Sequence, residues 1–204
     1  MIFKFKTAIC LLLTVVFGLT SKTLQKTTSA HTFSDEREVL NLTTISQFDH
    51  LSRTLCDSTD WDWKFILAIA SAESNFRTDV SSHRGATGLM QIMPHTAGDL
   101  GYTGADLTDP EVSIEIALKL LDRIKGTLRF SPSTPERERL SIILASYNAG
   151  LGYVLRTRKA AHSDGQAYNN WDTLKGYITR NGTHRETVEY VDKVLKRYDK
   201  YKNI

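Results

Sequence analysis

Cysteine is almost missing from this chain: Cys10 and Cys56 are the two copies among 204 residues. Cys10 lies inside an N-terminal apolar run, where it reads as a hydrophobic filler and not as a lipid-carrying terminal cysteine. With that run removed, Cys56 has no partner for an intramolecular disulfide and no Cys or His neighbour at metal-ligand spacing. It then reads as a small buried apolar side chain. An HExxH pair and a phosphate-binding glycine loop are also missing, and the six histidines share no ligand spacing. No metal and no cofactor are expected. An excess of one charge is lacking too: 26 Lys and Arg interleave with 23 Asp and Glu, for a net charge of +3. Such a surface offers no basic stripe, so nucleic acid is not expected as a partner.

Long hydrophobic runs are limited to one, Thr7 to Leu19, preceded by Lys4 and Lys6. It is long enough for the core of an export signal and short for a bilayer span. Residues 1–20 are therefore expected to direct export, with retention as a membrane anchor left open. Residues 21–43, rich in Ser, Thr and Lys, suit a polar tether. Residues 44–204 are expected to form one folded domain, because the remaining length supports a single core.

That domain shows no internal repeat, no heptad series and almost no strand-type alternation, which predicts an all-α fold. Phe48, Leu51 and Leu55 mark a first helix, and Asp62 offers an N-cap to a second running from Trp63 to about Phe76. Asp109 and Pro110 open a third, with Ile114, Ala117, Leu118, Leu121 and Ile124 on one face. A capping arrangement at Ser133-Thr134-Pro135-Glu136 opens another, with Gly150 as its terminator. Thr183 with Glu186 starts the last helix, whose Val188, Val191, Leu195 and Tyr198 face inward while its Lys, Arg, Asp and Glu face water.

Glu73 interrupts this pattern. On a helical wheel it falls beside the stripe of Phe65, Ala72 and Phe76, which places a carboxylate near the buried face. Burial disfavours the charged form, so the group either finds a cation, with Arg77 one turn on, or holds a proton near neutrality and serves as a general acid. The polar, glycine-bearing stretch from Ser81 to Gly88 is placed to line a cleft beside it.

Three ordered blocks then carry a resemblance: Glu73-Ser74, Gly88-Leu89-Met90-Gln91-Ile92-Met93-Pro94, and Ala145-Ser146-Tyr147-Asn148-Ala149-Gly150. With a fourth, Glu186-Thr187-Val188-Glu189-Tyr190-Val191, they make residues 45–200 resemble the soluble lytic transglycosylase catalytic domain. Asp62-Trp63 is similar to its membrane-bound murein transglycosylase F branch. Ser146 stands where many relatives have alanine, a small change in volume.

The resemblance implies a goose-type lysozyme-like helical domain with a substrate cleft, whose partner is the peptidoglycan glycan strand. It implies cleavage of the β-1,4 bond between N-acetylmuramic acid and N-acetylglucosamine, leaving 1,6-anhydromuramic acid ends. Glu73 would act first as acid and then as base, with the substrate's acetamido group assisting in place of a second carboxylate. Asp79 falls outside the matched blocks and reads as a turn residue. Ser82 corresponds to the serine near the acetamido group, or is an ordinary loop serine. Gln91 and Met93 match cleft-lining positions, and Met90 reads as core filler. Tyr147 matches a tyrosine that approaches the catalytic glutamate while also lying on the apolar stripe. Asn148 matches a sugar-contacting or loop-fixing residue. Glu186 is either a binding residue or half of a capping box, and Tyr190 borders the cleft or packs in the core. A lysozyme-type hydrolase on the same fold and a catalytically weak wall-binding module remain as alternatives.

Overall fold

The computed structural model describes residues 43–180 and 184–204; the export segment and all but the last residue of the expected tether lie outside them. Residues Ile45–Ile204 form one unit. Its described regular structure is helical: α1 (Asp49–Cys56), α2 (Trp63–Ser74), α3 (Pro94–Asp99), α4 (Pro110–Leu128), α5 (Glu136–Ala149), α6 (Leu151–Ser163), α7 (Trp171–Thr179) and α8 (Arg185–Lys202). Among the described residues only isolated bridges occur outside helices, joining Thr87 to Ser81 and to Ile92.

Local chemistry sets several of these starts. The Asp62 carboxylate accepts from Lys64 N–H at 2.8 Å and so satisfies a donor that the first turn of α2 leaves open. Asp109 does the same for α4, accepting from Glu111 N–H at 2.8 Å, with Pro110 at the first helical position. The five apolar residues expected on the α4 face are all buried.

Two expectations need correction, a third falls partly outside the described residues, and two helices had no expectation at all. α2 stops at Ser74, because Asn75 (φ 53°) and Phe76 (φ 63°) turn left-handed and lead the chain away from the helix axis. α5 starts after Pro135 without a side-chain cap; the Ser133 hydroxyl pairs with that of Ser131 at 2.8 Å instead. Thr183 lies outside the described residues, and α8 begins at Arg185 after a left-handed His184 that makes no side-chain cap bond. The His184 ring packs on Tyr153 with centroids 4.0 Å apart. The sequence reading also gave no account of α6 and α7. Gly150 (φ 90°) ends α5 as expected, but α6 follows it directly.

The core converges on α2 and α5. Every residue of α2 from Phe65 to Ala70 is buried, so this helix is enclosed on all sides and not along one stripe. Truncating Ile66 or Ile69 to alanine there would cost roughly 2–5 kcal/mol. Helix α2 packs most extensively on α8, and α5 lies against α4, α6 and α8. The end of α2 and the middle of α8 therefore form fixed walls around whatever side chain projects between them.

Candidate active site

Glu73 is that side chain. It sits in the last turn of α2, one step beyond the fully buried stretch, and keeps partial exposure. It lines a cleft of about 410 Å³ together with Ser82, Gln91, Arg77, Lys193 and Arg197. Burial raises its pKa from the ordinary 4.5 to about 7; the Tyr190 hydroxyl and the Lys193 charge oppose the rise without cancelling it. Arg77 does not pair with Glu73: its guanidinium faces Asp79 at 3.7 Å, with both side chains largely exposed. Glu73 is thus half-protonated near neutrality, as a general acid must be.

The loop after α2 forms the facing wall. Val80 O accepts from Gly88 N–H at 2.9 Å, and Thr87 and Ile92 exchange backbone bonds of 2.9 and 3.0 Å. Gly88 is required here by space as well as by its φ of 80°, since a Cβ would stand 1.8 Å from Leu107 O. The Gln91 amide donates to Val80 O (3.2 Å) and Gly88 O (3.0 Å), and its backbone is left-handed (φ 49°). Gln91 therefore holds the loop as well as lining the cleft. Ser82 Oγ accepts from Ala86 N–H at 3.0 Å, which leaves its hydroxyl proton to be donated elsewhere.

Two tyrosines stand close to the acid. The Tyr147 hydroxyl donates to Met90 O at 2.8 Å, not to Glu73, whose charge nonetheless raises the Tyr147 pKa beyond the effect of burial. With its proton committed to Met90 O, this phenol has none left to donate to Glu73. The Tyr190 hydroxyl is buried and has no hydrogen-bond partner within ordinary limits, although it lies close enough to act on Glu73. Met90 is fully buried in the core.

Other expected residues fall elsewhere. Asn148 accepts from the buried Thr187 hydroxyl at 2.9 Å and ties the end of α5 to α8. Met93 occupies the N-cap of α3 and Glu186 is exposed on the first turn of α8; neither lines the Glu73 cleft. The Ser146 hydroxyl, new against the alanine of many relatives, is satisfied by Ile142 O at 2.8 Å. The sequence reading sent the charged residues of the last helix to water, as holds for the exposed Lys193, but missed that Lys193 and the half-buried Arg197 also line the cleft. Their spacing from Tyr190, three and seven residues on, places all three on one face and was the available signal.

A larger cavity of about 510 Å³ opens over Trp61, Phe65, Phe130 and Leu140, and none of the candidate catalytic or substrate-binding residues lines it. Among the described residues, no three of His, Cys, Asp and Glu stand together as a metal site, and no helix is long and apolar enough to cross a membrane.

Comparison with known proteins places this geometry. The transglycosylase SLT domain family matches residues 54–170, more than half of the chain. The membrane-bound lytic murein transglycosylase F of Desulfosudis oleivorans is 32% identical over 170 residues, covering 77% of this chain and 37% of that protein. The chain thus spans little more than a third of that relative. The crystal structure of the 70-kDa soluble lytic transglycosylase of Escherichia coli aligns with a TM-score of 0.58 and 28% identity, covering 78% of this chain and 24% of that one. The Slt lytic transglycosylase of Pseudomonas aeruginosa, solved as an inactive mutant, aligns with a TM-score of 0.60 and 25% identity over 79% and 24% of the two chains. The helical unit shares the lysozyme-like fold of these enzymes. By the extent of the family match and by this fold, the chain belongs to the transglycosylase SLT domain family.

Proposed function

We propose that this chain is a peptidoglycan lytic transglycosylase that cleaves the β-1,4 bond between N-acetylmuramic acid and N-acetylglucosamine and leaves 1,6-anhydromuramic acid ends. The observation that carries the reading is a carboxyl with its pKa raised to about 7, on a cleft shared with Ser82 and Gln91. Protonated Glu73 gives its proton to the glycosidic oxygen as the C1–O bond breaks. The resulting carboxylate takes the proton of the muramic acid 6-hydroxyl while that oxygen bonds to C1. Glu73 ends protonated as it began, and no water is consumed.

The neighbours suit both halves of the cycle. The surrounding burial favours the acid form before bond cleavage. The Lys193 charge and the unpartnered Tyr190 hydroxyl stabilise the carboxylate formed next. The free Ser82 proton can orient the substrate's acetamido carbonyl, which takes the place of a second enzyme carboxylate. Gln91 is the residue we assign to the saccharide groove beside Glu73, with Asn148 holding α5 to α8 behind it and Tyr190 acting on the acid itself; Met93 and Glu186, which stand off this cleft, receive no role in the bond-breaking step. Residues 1–20 are assigned to export or anchoring and 21–43 to a tether, which would place residues 44–204 in the bacterial envelope.

Digestion of purified sacculi followed by mass analysis tests the reaction. Anhydro ends, lighter than reducing ends by one water, are expected, and Glu73→Gln should lose them by about a thousandfold. Reducing ends alone would establish the lysozyme-type hydrolase. Sedimentation with peptidoglycan without release of muropeptides would establish a wall-binding module.

A further inference from the structure

Lys193 and Arg197 stand one turn apart on α8 and line the cleft with Glu73, yet proton transfer to the glycosidic bond needs only a distant positive charge from the first and nothing from the second. Their surroundings are unbalanced. Lys193 Nζ spends one donor on Ala72 O, 2.7 Å away at the end of α2, and keeps two. Arg197 Nη1 is buried and has no hydrogen-bond partner. Arg77, on the same cleft, already faces Asp79. Among the described residues Glu73 is the one carboxyl lining the cleft, and below neutrality it is uncharged. Burial and the Arg197 charge together pull the Lys193 pKa down, more than the Glu73 charge raises it, so the two cations repel each other across the cleft.

A buried guanidinium nitrogen without an acceptor is costly unless a ligand supplies one. Neutral sugar hydroxyls do not call for two cations. A carboxylate does, since the guanidinium fork offers it two parallel donors and the ammonium adds charge. We propose that Lys193 and Arg197 form an anion subsite that binds a carboxylate of the glycan strand beside the bond protonated by Glu73. The identity of the strand rests on the transglycosylase reading; the need for an anion does not. Two sources share this chemistry: the free lactyl carboxylate of a muramoyl residue without peptide, and the carboxylates of an attached stem peptide.

Strands prepared from sacculi in three forms test the subsite: with stem peptides, with the peptides removed by an amidase, and with every carboxyl capped as a methylamide. Binding is measured by calorimetry on the full chain carrying Glu73→Gln, and cleavage on the unaltered chain. Capped strands should bind about tenfold more weakly, with KM raised to match and kcat changed less than about twofold. The tighter of the two uncapped forms identifies the carboxylate. Arg197→Gln and Lys193→Gln should each bring uncapped strands toward the affinity of capped ones, and Arg197→Lys should restore part of the preference. The melting temperature of Arg197→Gln should not fall, because the donor it removes has no partner.

Equal binding of capped and uncapped strands by the parent chain overturns the subsite and needs no variant. So does a preference that persists in both glutamine variants. Preferential binding without cleavage leaves the subsite standing and removes the transglycosylase reading. Cleavage to anhydro ends without preference does the reverse, and failure to bind any form overturns both.

Discussion

At the scale of single residues, Glu73 and Gly88 show how environment converts side-chain identity into function. Between pH 4.5 and 7 the folded chain keeps on Glu73 a proton that the unfolded chain has released, so this group lowers stability as pH rises through that window. The cost reaches on the order of 3 kcal/mol once Glu73 is ionised. Glu73→Gln, which carries no charge, should therefore melt higher than the parent chain at pH 8, with the gap closing toward pH 5. Parallel calorimetric scans check this, and a gap independent of pH would remove the buried-acid account. For the same reason kcat/KM of the parent chain should fall as pH rises above about 7, as the required acid form disappears. Gly88→Ala should cost about 3 kcal/mol or more, since a Cβ meets the Leu107 carbonyl. Gly85→Ala, with a similar φ of 87° but open space around it, should cost only about 1–2 kcal/mol. Denaturant titration of the two variants separates the steric demand from the backbone one. The suspicion of an acid at position 73 was legible in the sequence, because a carboxylate beside an apolar stripe is expensive. The orientation of the tyrosines was not: a motif names Tyr147, but only the packed structure reveals that Met90 O takes its proton.

At the scale of elements, legibility followed how local the forming interactions are. The start of α4 was readable because Asp109, Pro110 and a one-sided apolar face all lie within the helix itself. α6 and α7 were not, since α6 follows Gly150 without a linker and buries Arg158, whose guanidinium is held by Leu128 O at 2.8 Å and by Asn169. Those partners lie outside α6, one of them thirty residues upstream, so the helix's own pattern does not contain them. Asp62 joins both kinds of interaction. It caps α2 and also accepts from the Tyr198 hydroxyl at 2.8 Å, binding the start of the acid-bearing helix to α8. Asp62→Ala should therefore cost about 2–3 kcal/mol, a cap plus a buried hydroxyl left unpaired. Asp62→Asn, which keeps an acceptor, should cost less than about 1 kcal/mol. Thermal melts of the two variants measure the difference; equal losses would show that only the charge of Asp62 matters.

At the scale of the whole molecule, the cleft is assembled from parts far apart in sequence: the end of α2, the loop that follows it and the middle of α8. Such a site depends on the entire unit from Ile45 to Ile204 being folded at once. The core supports that, because the buried residues run without interruption from Phe48 through α2, α4 and α5 to Tyr201. Its leading edge is tied down as well, with Asp49 accepting from Ile45 N–H at 2.9 Å and Ser46 N–H at 2.8 Å. A chain begun at Ile45 retains all of these interactions. It should unfold in one cooperative transition, with coincident curves from circular dichroism and from tryptophan fluorescence of Trp61, Trp63 and Trp171. Trp61 and Trp63 stand at the entrance to α2 and Trp171 at the start of α7, so the tryptophans report on two different helix starts. If fluorescence changes before helicity, α2 or α7 opens separately, and the cleft is then lost at a lower temperature than the fold. Coincidence would instead tie cleavage to global stability, so that core truncations at Ile66 or Ile69 reduce activity only in proportion to the folded fraction.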